Sequence, residues 1–122
     1  IHFASLVKDE IIVRLLLKHG ADVNVINNDK VTPLMLACQF GDYTIIKLLV
    51  EKGAKINEKD ANGGTALFYC ILSKKLQNVQ YLVKKGADVN VKTSSGLTPL
   101  KLTKRMGIYD IQDYLESAGA RE

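Results

Sequence analysis

Tryptophan is absent from these 122 residues, and cysteine, proline and histidine occur twice each. Two cysteines exclude a disulfide-dense scaffold, and their place inside apolar runs points to reduced, buried thiols in a cytoplasmic or nuclear protein. The only histidines, His2 and His19, stand far from both cysteines and no pair has zinc-ligand spacing, so no metal is expected. A cysteine–histidine nucleophile has no spacing that would bring in an orienting third group. Long apolar runs are also missing. Ile11–Val13 and Leu15–Leu17 are typical, far short of the roughly 20 residues a membrane span needs. There is no signal-peptide pattern, no GxxxxGK[ST] and no GxGxxG. The stretch DANGG at 60–64 opens like a calcium loop, but Ile71 stands where the bidentate glutamate would be, and a hairpin turn is the better reading. Arginine is scarce beside lysine at a net charge of +4, and aromatic residues make up 7%. Both facts speak against specific reading of nucleic acid, which favours arginine forks and stacking rings. No catalytic residue and no cofactor emerge.

What the chain does contain is a period. Gly20–Ala21, Gly53–Ala54, Gly86–Ala87 and Gly119–Ala120 recur every 33 residues without slip. The triplets at 32–34, 65–67 and 98–100 (TPL, TAL, TPL) keep that spacing, as do Asn24, Asn57 and Asn90. Each unit reads as two short helices and an extended loop. Thr32 suits an N-cap, and Pro33 suits the first helical position, where no amide donor is needed. A first helix then runs to Gly41. A second, over about residues 43–52, carries Ile45, Ile46, Leu49 and Val50 as an apolar stripe. Gly53 falls where a helix commonly ends in the left-handed region. Helices this short are not stable alone in water. Each must have its apolar face covered by the next unit, which predicts an all-α solenoid.

The stretch TPLMLACQFGDYTIIKLLVEKGAKIN, with its echoes TALFYC and TPLKLT, resembles the ankyrin-repeat family. The resemblance covers the whole chain as one domain of about three and a half repeats: a partial unit at 1–26, units at about 27–59 and 60–92, and a capping unit at about 93–122. It implies an L-shaped stack whose hairpin tips and first helices line a concave face, and a scaffold for protein partners in place of catalysis. The contact positions it implies are, at the ends of first helices, Leu6 and Val7, Gln39 and Phe40, Leu72 and Ser73, Arg105 and Met106. At the tips they are Ile26, Asn28, Asp29 and Val31, then Lys59, Ala61 and Asn62, then Lys92, Ser94, Ser95 and Leu97. Phe40, Leu72 and Met106, rimmed by basic residues, form the expected partner patch, with Phe40 as its anchor.

The chain departs from the family pattern in places. Lys30 stands where Gly63 and Gly96 stand; a lysine at positive φ costs about 1 kcal/mol, so either strain or a rearranged first hairpin is expected. The loop aspartate survives only as Asp60, with Asn27 and Thr93 in its other places, and the first-helix histidine only as His2. Lys104, Gln112 and Glu116 are polar where earlier units are apolar, the expected end of an array. The opposite end, apolar through Leu17, suggests further structure upstream. The DVN corners resemble substrates of asparaginyl hydroxylases, although hydrogen bonds that tie down the loop explain these asparagines as well.

The expected function is a non-enzymatic protein-interaction module, monomeric within a longer chain. The alternative is a regulatory domain that binds an anionic small molecule or nucleic acid along Lys18, Lys52, Lys84 and Lys85. Cations also suit helix C-termini for electrostatic reasons alone, and salt dependence separates the two readings.

Overall fold

The computed structural model describes residues 10–122. Its helices are α1 (Glu10–Lys18), α2 (Pro33–Phe40), α3 (Tyr43–Glu51), α4 (Ala66–Leu72), α5 (Leu76–Lys84), α6 (Pro99–Met106) and α7 (Tyr109–Ser117). Each first helix starts at a buried threonine with an extended backbone. Thr32 Oγ1 accepts from Met35 N at 3.2 Å, and Thr98 Oγ1 from Lys101 N at 3.2 Å. Thr65 has the same backbone, but its buried hydroxyl caps nothing and makes no hydrogen bond. Gly41 and Gly107 close α2 and α6 in the left-handed region, at φ +75° and +69°. The equivalent position after α4 is Lys74, held at φ +61°, a strained lysine in addition to the one expected at position 30. Asp42 caps α3 by accepting from Ile45 N at 3.1 Å, whereas Lys75 and Ile108 at the matching positions provide no side-chain cap.

The glycine–alanine corner does what its recurrence predicts. Gly53 lies at φ +98°, and Ala54 N returns to Leu49 O at 3.0 Å, closing the last turn of α3. The alanine is then buried under that turn. The asparagine immediately after the following aliphatic residue (Val23, Ile56, Val89) does more than was expected. It reaches across to the next corner instead of tying down its own loop. Asn24 donates to Gly53 O at 3.1 Å and accepts from Lys55 N at 2.8 Å. Asn57 grips Gly86 O and Asp88 N at 3.0 and 2.8 Å, and Asn90 grips Gly119 O and Arg121 N at 3.2 and 2.7 Å. One amide side chain per unit thus pins that unit to its successor through both a donor and an acceptor.

First helices α2, α4 and α6 pack in one layer, and α1, α3, α5 and α7 in a second, each pair joined by a short turn. The core lies between the layers: Leu34, Ile45, Ile46, Leu49, Leu67, Ile71, Val79, Leu82, Ile111 and Leu115 have almost no exposure. One residue breaks this pattern. Asn78 sits where Ile45 and Ile111 sit, is 1% exposed, and its Nδ2 donates to nothing. Cys38 and Cys70, on adjacent first helices, are buried and free. Burial, with Cys70 alongside, pushes the Cys38 thiol well above its usual range. At the far end of the stack Lys104 and Glu116 are exposed and Gln112 half-buried, and Lys104 pairs with Glu122.

The three hairpins share one design. Asn27 N donates to Val31 O at 3.2 Å, Asp60 N to Gly64 O at 2.8 Å and Thr93 N to Leu97 O at 2.9 Å. Lys30 keeps that geometry at φ +59°, so of the two expected outcomes strain is the one found. Successive tips are also joined, Ala61 N to Asp29 O and Ser94 N to Asn62 O, both at 2.9 Å.

Candidate binding face

Hairpin tips and first helices provide one face of the molecule, and its residues differ sharply in what they offer. Leu6 and Val7 lie outside the described residues. Ile26 is 52% exposed, and Asn28, Asp29, Lys59, Asn62, Lys92 and Ser94 are all exposed. Val31 and Leu97 are half-buried beneath the tips. Along the helix ends, Leu72 is 51% and Phe40 37% exposed, and Gln39 and Arg105 are open to solvent. Met106 contributes less than expected, because it is half-buried against the core. Ser73 is half-buried too, and its hydroxyl is spent on Cys70 O at 2.9 Å. Leu72 and Arg105 occupy the same helical position in successive units; Phe40 and Met106 share the adjacent one.

This face carries an apolar dent of about 300 Å³ between the units at 60–92 and 93–122. Phe68, Tyr69 and Leu72 form one wall, and Leu97 and Leu102 the other. Asp60 borders it with both oxygens engaged: Oδ1 accepts from Asn62 N and Gly64 N, each at 2.9 Å, and Oδ2 accepts from the Tyr69 hydroxyl at 2.5 Å. Burial, and then the Asp60 carboxylate, raise the Tyr69 phenol far above its ordinary range. Tyr69, Phe68 and Leu102 were not singled out from sequence. The available signal was that Tyr69 lies three residues before Leu72, one turn back on the same helical face.

Charge is distributed unevenly between the layers. Helices α2, α4 and α6 contain no aspartate or glutamate, whereas Glu10, Glu51, Asp110, Asp113 and Glu116 all lie in the second-helix layer. The hairpin tips carry Asp29 and Asp60 together with Lys30, Lys59 and Lys92, and Arg105 at the end of α6 adds a further cation.

On the outer layer, Lys18 and Lys52 share a dent of about 280 Å³ with Arg14 and Leu17. Lys84 and Lys85 line another, of about 450 Å³, with Tyr43, Tyr81, Gln77 and Gln80. Tyr43 meets Tyr81 edge-on at 5.5 Å, and Lys85 Nζ lies 5.8 Å from the Tyr81 ring centre. Burial raises the Tyr81 phenol as well, with Glu51 adding to the effect. These lysines have no described ion pair. Among the described residues no cluster of three or more metal-ligating side chains occurs, and no helix is long and apolar enough to cross a membrane.

No curated protein matches the chain. A family model described as ankyrin repeats in three copies matches residues 1–93, more than half of the sequence. Paired helices, left-handed glycine corners and hairpins at a constant spacing continue beyond that match to α7. The chain belongs to the ankyrin-repeat family.

Proposed function

We propose that this chain is a protein-interaction module that binds a partner on the face made by its hairpin tips and first helices. Ankyrin repeats are generally protein–protein interaction modules, and typically not enzymes. The observation that carries the reading to this face is the apolar surface left there, centred on Leu72 and the dent beside it. Solvent alone would favour polar groups at such positions, and exposed apolar patches on a folded protein mark interaction sites. Tip-to-tip hydrogen bonds and the asparagine clamps hold the face in one shape, so little ordering entropy is lost on binding. Gln39, Phe40, Arg105 and Met106 are the contact positions along the helix ends, and Ile26, Asn28, Asp29, Val31, Lys59, Asn62, Lys92, Ser94 and Leu97 those at the tips. The module acts without a cofactor.

The lysine-lined outer layer gives the anionic-ligand alternative less support, because its cations are exposed to solvent, and the buried polar atom beside them, the unpartnered Tyr81 hydroxyl, is a single group. The experiment is a pull-down from source-cell lysate with the native chain, a Phe40→Ala/Leu72→Lys variant and a Lys84→Ala/Lys85→Ala variant. A partner retained by the lysine variant and lost by the other is expected. Loss in the lysine variant alone, together with binding that weakens steeply as salt rises, would overturn the reading.

A further inference from the structure

The dent between the last two units specifies its occupant more closely than the face as a whole, and this inference rests on the concave-face reading above. Its walls are the side chains of Phe68, Tyr69, Leu72, Leu97 and Leu102. The polar groups at its edge are largely satisfied, and the Asn62 side-chain amide there is open to solvent. Asp60 accepts three hydrogen bonds, and Thr93 Oγ1 accepts from Leu97 N at 3.1 Å. Asn62 O accepts from Ser94 N and Ser94 Oγ. The lining is predominantly apolar, so an occupant gains chiefly by burying apolar surface. At about 300 Å³ the dent is at the bottom of the range for small-molecule sites, which suits one bulky side chain projecting from a longer segment.

The surroundings determine what that segment carries. Arg105 occupies the position next to Leu72 along the stack, Lys59 and Lys92 flank the hairpins, and α2, α4 and α6 bear no acid. Asp60 is the acid at the dent, and its charge is met by two backbone amides and a phenol. We infer that the dent receives a single leucine-, methionine- or phenylalanine-sized side chain from an extended acidic segment of a partner protein. Carboxylates within a few residues of that side chain meet Arg105 and the lysines of the adjacent hairpins.

The test is selection of a random 12-residue peptide phage library on the native chain. Fluorescence anisotropy with the enriched peptides, labelled with fluorescein, follows. The enriched peptides are expected to share one large apolar residue with aspartate or glutamate nearby. Replacing that residue by alanine, or Leu72 by lysine, should weaken binding about tenfold or more, the effect of exposing one buried side chain of this size. Leu72→Ala should weaken it less, and Arg105→Gln should flatten the salt dependence. Peptides bound equally by the native and Leu72→Lys chains would overturn the dent. If those peptides are lost in Phe40→Ala, the concave face stands without it; if they are lost only in Tyr43→Ala on the outer layer, both readings fall. Absence of any enriched peptide, or displacement of the peptides by a dT12 oligonucleotide, would also overturn the inference.

Discussion

Lys30 and Lys74 are the two residues other than glycine at positive φ among the described residues, at +59° and +61°. In the equivalent places of other units the chain uses Gly63, Gly96, Gly41 and Gly107. An L-residue in the left-handed region costs about 1–2 kcal/mol through the clash of its Cβ with the backbone. Glycine removes that cost but gives the unfolded chain more freedom, which returns about 0.4–1 kcal/mol. Lys30→Gly and Lys74→Gly should therefore each stabilise the fold by about 0.5–1 kcal/mol. The two sites lie in different units without a shared partner, so the double variant should gain about the sum. For a chain of this size a gain of 1–2 kcal/mol raises the melting temperature by roughly 3–10 °C. Urea unfolding followed by circular dichroism measures the gain as a higher midpoint at constant slope. Alanine supplies the control, because it removes the lysine charge but keeps the Cβ. If Lys30→Ala and Lys74→Ala stabilised as much as the glycine variants, the gain would come from charge, and the strain argument would be refuted.

Four further outcomes follow from the same geometry. Asn57→Ala removes the donor to Gly86 O and the acceptor for Asp88 N, and should cost about 1–2 kcal/mol in urea unfolding, more than loss of any exposed side chain without such a clamp. Asn78→Ile replaces an amide that makes no donor contact with the side chain used at Ile45 and Ile111; midpoints should rise by about 1–2 kcal/mol, and a lower midpoint would mean that the extra volume does not fit. Ala66→Pro restores the first-turn proline of the neighbouring units, behind an extended Thr65 at φ −106° and ψ 173° that tolerates it; a gain of about 0.5–1 kcal/mol is expected by differential scanning calorimetry. Tyr69 titrates above its ordinary value, first because of burial and then because of Asp60, so the neutral phenol is favoured in the fold. Its contribution is complete below an unfolded value of about 10 and is lost as pH rises from there towards the folded value. Urea midpoints should fall between pH 10 and 11.5, and less steeply in Tyr69→Phe; Cys38 and Tyr81, shifted in the same direction, keep the slope from vanishing.

The period, the helix pairs and the left-handed corners could all be read from residue spacing, because each depends on local chemistry that recurs in register. Lys30 stood out in the same way, as a lysine in a column of glycines. Lys74 is less conspicuous, because Gly41 and Gly107 at the same interval end first helices, where residues other than glycine are also common. The asparagine clamps were misjudged for a different reason. Their partners lie 29 and 31 residues downstream, close to one period away, and local sequence cannot distinguish a bond to its own loop from one to the next. Of the binding face, the helix ends and tips followed from the resemblance. The dent did not, because it arises where Leu97 of one unit meets Tyr69 and Leu72 of the one before.

The departures from regularity are not spread evenly along the stack. Thr65 without its cap, alanine at 66 in place of proline, Lys74 at positive φ, Lys75 where Asp42 caps, and the unpartnered Nδ2 of Asn78 all belong to the unit at 60–92. In a solenoid each unit's stability is its own contribution plus its two interfaces. This unit carries the most local losses and is held by neighbours on both sides, through Asn57 and Asn90 and through the joined hairpin tips. It is also the unit that supplies Asp60, Phe68, Tyr69 and Leu72 to the dent. Natural sequences tend to give up local consistency where function requires it, and here the concentration of losses coincides with the wall of the candidate site. Restoring proline at 66, glycine at 74 and isoleucine at 78 together therefore tests whether those losses serve binding: a stabilised chain that selects the same peptides with unchanged affinity would show that the weak unit and the dent are neighbours by position alone.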